Sequence, residues 1–206
     1  MARRGDKLHE HILWTAKDIF LELGFERTSM DVVASRAETS KRSLYAHFES
    51  KEKLFLAVID LVRRLFLSRL RMPEDYSDQP TEALVMFCAQ YLKFLLYEYS
   101  IQMIRVSMAE STRFPEGAAQ YFDVIFTEVH AHLCTYLMAT FGVSPTVSSE
   151  VTQKLLGQVL YPRLLRALFG MDPLVKSLDD EALSPEVNLT PIHLAVADLL
   201  SSLQEH

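Results

Sequence analysis

Apolar residues recur at steps of three and four along most of the chain, which places them on one face of a helix. The first such stripe runs over Leu8–Leu23 and is followed by Gly24, a residue that can take the left-handed backbone that closes a helix. Phe25 is then expected to fold back onto the last turn. Thr28 is predicted to be the N-cap of a second helix of about three turns. The pattern therefore predicts two helices that meet near Gly24.

A short third helix follows after a tight turn. Ser40 is predicted to be its N-cap, and the helix should run from Lys41 to about His47. Leu44 and Phe48 are four residues apart, so both face the core. Two short helices joined by a tight turn are typical of a helix-turn-helix.

The opposite face of the third helix is short, polar and cationic. Arg and Lys can donate to guanine, Ser can bond to either partner of a base pair, and an Ala methyl can touch a thymine methyl. The candidate base-facing residues are Lys41, Arg42, Ser43 and Ala46. Ser40, Tyr45 and His47 can instead donate to phosphate. The alternative is that this face is simply solvated.

The first 60 or so residues resemble the DNA-binding domain of the TetR family of regulators. The similarity rests on Gly24-Phe25, Ser40-Lys41, the Leu44-Tyr45 and His47-Phe48 pairs, and the run Ser50–Phe55. It implies that Lys41, Arg42, Ser43 and Ala46 face bases. It also implies that Thr28, Tyr45, His47 and Lys51 hold the DNA backbone.

Two positions depart from the family pattern. Glu38 stands in the turn where the family has glycine, and a left-handed backbone there costs a non-glycine residue about 1 kcal/mol. Either this strain is tolerated or the turn is altered. Arg42 stands where glycine is frequent, which adds a long cationic donor to the reading face. We expect Arg42 to contribute to operator choice.

The rest of the chain is predicted to be entirely helical. A long helix from Ser50 to about Leu70 should link the two parts, and a turn-rich loop follows it. Further helices are predicted at residues 81–99, 101–112, 115–140, 149–169 and 191–204. Pro162 should bend the fourth of these, and residues 170–189 should form a connecting loop that includes Asp179–Glu181. The resulting fold class is all-α and TetR-like, with a helix-turn-helix domain over residues 1–53 and a larger helical domain over residues 54–206.

Charge is distributed unevenly along the 206 residues. Residues 1–53 carry ten Lys/Arg against nine Asp/Glu, whereas the remainder carries eleven against eighteen. The N-terminal cations include the tail residues Arg3, Arg4 and Lys7, and local clusters of this kind neutralise phosphates. No apolar run is long enough to span a bilayer, so we expect a cytoplasmic protein without a membrane partner. We interpret Cys88 and Cys134 as small buried residues, with a redox sensor as the alternative.

The middle helices hold many large, adaptable apolar side chains. They are typical of a core, but collectively also of a small-molecule site, and the resemblance implies an effector there. The residues selected as a candidate effector pocket are Phe87, Tyr91, Phe94, Met103, Arg105, Met108, Phe122, Phe126 and His130. The effector itself is not identified, and no cofactor or metal is predicted.

The helix at residues 149–169 has a wider apolar surface than one packed face requires, so a partner should cover part of it. The resemblance implies that it pairs with the last helix and with their copies in a homodimer. The residues predicted at this interface are Leu156, Leu160, Leu164, Leu168, Leu194 and Ala197. A two-fold dimer presents two recognition helices to a palindrome. Most relatives repress, so a repressor released by an effector is expected.

Two other classes of function were weighed against a regulator. An enzyme is disfavoured because the chain has no Gly-x-Ser-x-Gly elbow, no phosphate-binding glycine loop and only six glycines. His130 and His132 are two residues apart on a helix, on nearly opposite sides, so they cannot share a metal. A helical protein-interaction module without sequence-specific DNA binding stays open as the alternative.

Overall fold

The computed structural model describes residues 4–178 and 184–204. These residues form α-helices and short 3-10 and π-helical turns without a β-strand, which confirms the all-α prediction. Arg3 and Asp179–Glu181, named in the predictions above, lie outside the described residues. The α-helices, in order, are α1 Arg4–Arg27, α2 Met30–Arg36, α3 Lys41–His47, α4 Lys51–Arg69, α5 Pro80–Leu95, α6 Glu98–Ala109, α7 Pro115–Phe122, α8 Glu128–Phe141, α9 Pro145–Leu160, α10 Arg163–Leu168 and α11 Leu189–Gln204.

The chain divides into two compact units. Unit 1 contains the residues up to Ser68 together with Gln102–Phe122, and unit 2 contains Arg69–Ile101 and the residues from Asp123 onward. The division differs from the predicted domain boundary after residue 53. Much of α4, most of α6 and all of α7 belong to the same unit as the helix-turn-helix.

The first helix of unit 1 breaks at Gly24, as predicted. Gly24 has φ 75° and ψ 173°, a backbone that glycine tolerates because it lacks a Cβ. The Phe25 ring folds back to stack on Phe20, with ring centroids 6.0 Å apart. The predicted N-cap of α2 is wrong by one residue, because Ser29 accepts from the backbone N–H of Val32. The Thr28 hydroxyl instead donates to the Gly24 carbonyl at 2.7 Å.

An aromatic cluster ties the segment Gln102–Phe122 to the N-terminal helices of unit 1. The Phe114 ring lies 5.0 Å from Phe25 and 5.2 Å from Phe55, edge-on to the first and tilted to the second. Such offset arrangements are favourable beyond the apolar area they bury. Gly117 of α7 approaches α4 so closely that an added Cβ would lie 2.9 Å from a methyl of Leu56. Unit 1 thus includes residues far apart in the sequence.

Unit 2 is built around α5, which is buried on nearly every face. α9 packs against α8 and α11, and α11 also packs against α5. The helix predicted over residues 149–169 starts earlier, because the Ser144 hydroxyl caps it by accepting from Val147 N–H at 3.3 Å. It is interrupted rather than bent at the cis Tyr161–Pro162 bond, since α9 ends at Leu160 and α10 begins at Arg163.

Two further helix boundaries depart from the predictions. The helix predicted over residues 115–140 contains a π-helical segment, Asp123–Thr127, between α7 and α8. The Tyr91 hydroxyl donates to the Ile125 carbonyl within this segment. α11 begins at Leu189, two residues before the predicted start, and Asn188 Oδ1 accepts from the Thr190 N–H at 3.0 Å in its first turn.

Candidate nucleic-acid interface

The turn between α2 and α3 contains a strained residue. Glu38 has φ 48°, the left-handed conformation expected from its place in the turn, and no other non-glycine residue in the described ranges has a positive φ. The backbone N–H of Glu38 still bonds to the Ser35 carbonyl at 3.2 Å, so the tight turn closes. The predicted turn geometry is therefore present without glycine.

The third helix has the predicted start, end and orientation. The Ser40 hydroxyl accepts from the Ser43 N–H at 3.1 Å, as an N-cap should. Leu44 and Phe48 are buried, whereas Lys41, Arg42, Tyr45 and Ala46 are exposed and Ser43 and His47 are half-buried. The polar face predicted from the spacing is thus directed outward.

The two cations on this face are in different situations. Lys41 Nζ lies 2.8 Å from the Asp31 carboxylate of α2, and both side chains are largely exposed. Arg42 has no ion-pair partner among the described residues. An arginine without an ion-pair partner can present its forked donors to a base without first breaking a salt bridge.

Thr28 does not fit the predicted role in phosphate contact. Its side chain is only 2% exposed, and its hydroxyl proton is already donated to Gly24. A buried hydroxyl offers no surface to a phosphate, so we remove Thr28 from the candidate DNA contacts. His47 remains at the surface edge, with its ring 5.6 Å from that of His9 on α1.

Lys51 makes an internal contact that the sequence did not indicate. Its ammonium donates to the Phe25 carbonyl at 3.0 Å and lies 4.1 Å above the Phe25 ring. The Arg113 guanidinium lies 4.9 Å from the same ring and pairs with Glu26 at 2.5 Å. The two cations therefore hold the segment after Gly24 in place. We interpret Lys51 first as a positioning residue for the N-terminal helices.

Two family models match the chain. The model described as "Bacterial regulatory proteins, tetR family" matches residues 12–58, and "AefR-like transcriptional repressor, C-terminal domain" matches residues 82–141. The first match spans α2, the turn and α3, and so includes the candidate DNA-contacting residues of α3.

The chain belongs to the TetR family of transcriptional regulators.

Individual relatives agree with this assignment. The TetR-family chain is 28% identical over 166 residues to the HTH-type transcriptional regulator UidR of Escherichia coli, covering 78% of this chain and 82% of UidR. The structure of the flavonoid-responsive regulator FrrA is 26% identical, with a TM-score of 0.74 over 96% of this chain and 97% of that one. A TetR-family structure from Mesorhizobium loti, 20% identical with a TM-score of 0.75 over 97% and 98% of the two chains, supports the fold alone. This TetR-family chain is thus a DNA-binding regulator and not an enzyme.

The residues predicted to form an effector pocket are divided between the two units of the TetR-family chain. Phe87, Tyr91, Phe94, Phe126 and His130 belong to unit 2, and Met103, Arg105, Met108 and Phe122 belong to unit 1. Arg105, Met108 and Phe122 are exposed, whereas Phe87, Tyr91 and Met103 are buried, so the described residues do not enclose the nine side chains equally. A groove of about 340 Å³ in unit 1 contains none of the nine and is lined by Asp6, His9, Glu10, Leu13, Trp14, Leu61 and Arg64.

Lys93 and Ser107 are among the buried polar residues that the sequence pattern did not indicate. Lys93 of α5 is only 3% exposed, and Ser107 of α6 is 7% exposed with no hydrogen-bond partner for its hydroxyl within the described chain. Both lie in strongly apolar helices, where periodicity alone gives no reason to select a single polar residue. An unpaired buried hydroxyl costs about 1 to 3 kcal/mol, so Ser107 is a natural place for a further polar contact.

The predicted dimer residues also require correction. Leu156 and Leu164 are buried within the TetR-family chain itself, so a partner subunit cannot contact their side chains. Leu194 and Ala197 are exposed, and Leu160 and Leu168 are half-buried. The large apolar side chains exposed in this part of the chain are instead Tyr161 after α9, Leu165 on α10, Phe169 and Met171 after α10, and Leu194 on α11, which we call the apolar face. Phe169 is 81% exposed and Tyr161 68% exposed.

The described ranges contain neither a metal-binding cluster nor a helix that could span a membrane. Residues 4–178 and 184–204 contain no group of three or more His, Cys, Asp or Glu side chains arranged to hold a metal ion. In the same ranges, no helix combines the length and the apolar composition that a membrane span requires.

Proposed function

We propose that this chain is a repressor that binds a palindromic operator as a homodimer and is released by a small, partly apolar effector. The observation that carries the proposal is the exposed face of α3, where a capped helix presents Lys41 and Arg42 beside the small residues Ser43 and Ala46. A helix that presents short side chains with cationic donors fits the major groove. Its action would be in the cytoplasm, where a bacterial operator is located.

The proposed DNA contacts have two classes. Lys41, Arg42, Ser43 and Ala46 read bases, and Ser40, Tyr45 and His47 contact phosphates. Lys51 acts mainly through Phe25, as described above, and supports the orientation of the helix-turn-helix. Base contacts determine sequence preference, whereas phosphate contacts fix the register of the protein on DNA.

The apolar face supports the homodimer. Exposed aromatic and aliphatic side chains of this size are unfavourable in water, and burying each one is worth about 1.5 to 3 kcal/mol. A second copy of the same face is self-complementary under two-fold symmetry. The dimer would place two α3 helices on half-sites about 34 to 36 Å apart or at a multiple of that distance.

Repression and effector release rest on more distant support. The family model matched by residues 82–141 is described as the C-terminal domain of an AefR-like transcriptional repressor, and FrrA is described as a flavonoid-responsive regulator. In unit 2, the ring of Phe87 stacks 6.1 Å from that of Tyr91, and the buried Lys93 lies on the same helix. We place an aromatic, partly apolar effector near these α5 residues. It would release DNA by preferring an arrangement of the dimer that does not fit the operator.

Selection of genomic fragments by the purified protein tests the proposal. We expect recovery of fragments with a shared palindrome, and binding that weakens steeply as salt rises because phosphate contacts release counterions. The recovered fragments then serve as probes for release by flavonoids in a gel shift. Recovery without any shared sequence, or binding insensitive to salt, would favour the helical interaction module instead.

A further inference from the structure

The imidazole at the end of α3 has few contacts that hold it in place. His47 is the last residue of α3, and Phe48 after it has an extended backbone with φ −136° and ψ 109°. In the described part of the chain the His47 side chain has no hydrogen bond or ion pair, and its ring contact is with His9. Once the ring is protonated, both of its nitrogens can donate to DNA phosphate.

His9 of α1 contacts both this imidazole and the residue that ends the helix. The His9 ring stacks on Phe48, with centroids 4.6 Å apart and planes 26° apart. It lies edge-on to the His47 ring, with centroids 5.6 Å apart. Phe48 is buried, so it holds the His9 ring at the edge of the core. His9 in turn limits the orientations of His47, which lowers the entropy cost of ordering that side chain on DNA.

The charged groups that face His9 come from three helices. Asp6 and Glu10 of α1 and Arg64 of α4 line the same groove as His9, and His47 is the titratable group that faces it from α3. Carboxylate and guanidinium groups do not ordinarily change charge between about pH 6 and 8, whereas imidazoles do. A pH dependence of phosphate binding in this range is therefore expected from the imidazoles.

We propose that His9 is a positioning residue for the phosphate contact of His47. Its ring, rather than its charge, keeps the His47 imidazole in the orientation that reaches phosphate. The inference rests on the proposed DNA-binding function and adds a residue that lies outside α2 and α3. Because phosphate contacts carry no sequence information, His9 should support binding to operator and to other DNA equally.

The test measures binding of the full-length protein to a genomically selected operator and to a scrambled duplex of the same length, by fluorescence anisotropy over a range of salt. His9→Ala should weaken both by about tenfold per half-site, the effect of losing a hydrogen bond to a charged group. The slope of log affinity against log salt should decrease by about one per half-site. A tilt of α3 would instead weaken operator binding more than scrambled binding, which would contradict the proposal.

Three variants separate the ring of His9 from its charge and from general damage to α1. His9→Phe keeps a ring that can stack on Phe48, so it should restore most of the affinity lost in His9→Ala. His11→Ala, which removes an exposed imidazole from another face of α1, is the matched control and should change neither affinity nor salt slope. Combining His9→Ala with His47→Gln should bind no more weakly than His47→Gln alone, because both changes remove the same contact.

The pH profile gives a readout that a folding defect would not change. Wild-type affinity should rise as the pH falls from about 8 to about 6, because His47 takes up a proton beside phosphate. His47→Gln and His9→Ala should both lose this rise, whereas His9→Phe should keep it. A folding defect would lower affinity at every pH alike, and thermal unfolding verifies that each variant is folded.

Several outcomes would overturn the proposal while leaving the proposed function in place. They are a wild-type pH response in His9→Ala, additive losses in the double variant, and a failure of His9→Phe to restore binding. A His47→Gln variant with an unchanged salt slope and pH response would also overturn it, because His47 would then not contact phosphate. Absence of binding to both duplexes by the wild type would instead contradict the proposed function itself.

Discussion

The two compact units each leave a surface that the described chain does not cover, and the two surfaces differ in chemistry. In unit 1 the uncovered surface is the polar face of α3, with Lys41 and Arg42. In unit 2 it is the apolar face around Leu165 and Phe169. Exposure on α3 is inexpensive because charged groups are well solvated, whereas exposure of large apolar groups carries a free-energy cost.

The difference indicates two kinds of partner. A cationic face with little apolar area suits a polyanion, where binding energy comes largely from phosphate neutralisation and decreases with salt. Several large exposed apolar side chains, such as those of the apolar face, suit a protein surface of the same character.

The largest expected effect is on the apolar face. Replacing Leu165 and Phe169 together by Asp should raise the dimer dissociation constant by about a hundredfold or more, since two buried apolar anchors are lost and two charges are introduced. Sedimentation velocity over a range of protein concentrations measures the change. Operator affinity should decrease with it, because a monomer contacts one half-site.

Leu67→Asp is the matched control for this variant. Leu67 is also a large exposed aliphatic residue, but it lies on α4 in unit 1. Leu67→Asp should leave the dimer dissociation constant unchanged. If the double Asp variant dimerises as well as the control does, the apolar face is not the dimer interface.

The second effect concerns the support of unit 1. Phe114→Ala should lower the free energy of unfolding by about 2 to 3 kcal/mol, somewhat less than for a fully buried Phe, because Phe114 is half-buried in the aromatic cluster. Urea unfolding followed by circular dichroism measures the loss. Phe122→Ala is the control, because Phe122 is exposed at the end of α7. Equal losses in the two variants would contradict the packing of this segment with the N-terminal helices.

The third effect tests base reading by α3. Arg42→Ala should cost roughly 1 to 3 kcal/mol on a matched operator and relax selectivity at one base pair in each half-site. Competition gel shifts with operators varied one base pair at a time measure this. Lys53→Ala removes an exposed cation from α4 and should weaken all DNA similarly. Equal losses on operator and random DNA for Arg42→Ala would contradict the role of Arg42 in sequence choice.

Features set by neighbouring residues were predictable from the sequence. The break at Gly24, the Ser40 cap and the outward polar face of α3 depend on residues within one or two turns of each other, and all three are present. The left-handed backbone at Glu38 was only one of two outcomes that the family's glycine at this place left open, and it is the one present. The all-α fold follows from the same local periodicity.

Features set by tertiary packing were not predictable. The helix predicted over residues 149–169 has a wide apolar surface, and periodicity does not decide which of its apolar residues are buried within the chain. Leu156 and Leu164 pack inside, while Leu165 and Phe169 stay outside. From the sequence, Lys51 is expected to be a surface cation. In the structure its ammonium donates to the Phe25 carbonyl.

A smaller effect is expected at the strained turn. Glu38→Gly removes the left-handed strain of about 1 kcal/mol but adds freedom to the unfolded chain, so the net gain in unfolding free energy should be below about 1 kcal/mol. Urea unfolding measures it. Glu49→Gly, at an exposed loop position outside the left-handed region, is the control and should give no gain. A loss of stability in Glu38→Gly would show that the turn does not store the strain argued above.

The smallest expected effect concerns the restraint on Lys41. Its salt bridge to Asp31 is exposed, and such pairs contribute about 0.2 to 1 kcal/mol, so it breaks readily when DNA competes. Asp31→Asn should tighten operator binding by about two- to threefold, which is less than 1 kcal/mol, measured by fluorescence anisotropy at low salt.

The competing explanation for such a gain is the loss of one negative charge anywhere in unit 1. Asp18→Asn controls for it, because Asp18 is exposed and pairs with Lys17 at a similar 2.8 Å on α1, away from the reading face. The gain from Asp31→Asn should also disappear when Lys41 is replaced by Ala. If it persists in that background, the added affinity reflects net charge, and Asp31 does not restrain a base-reading cation.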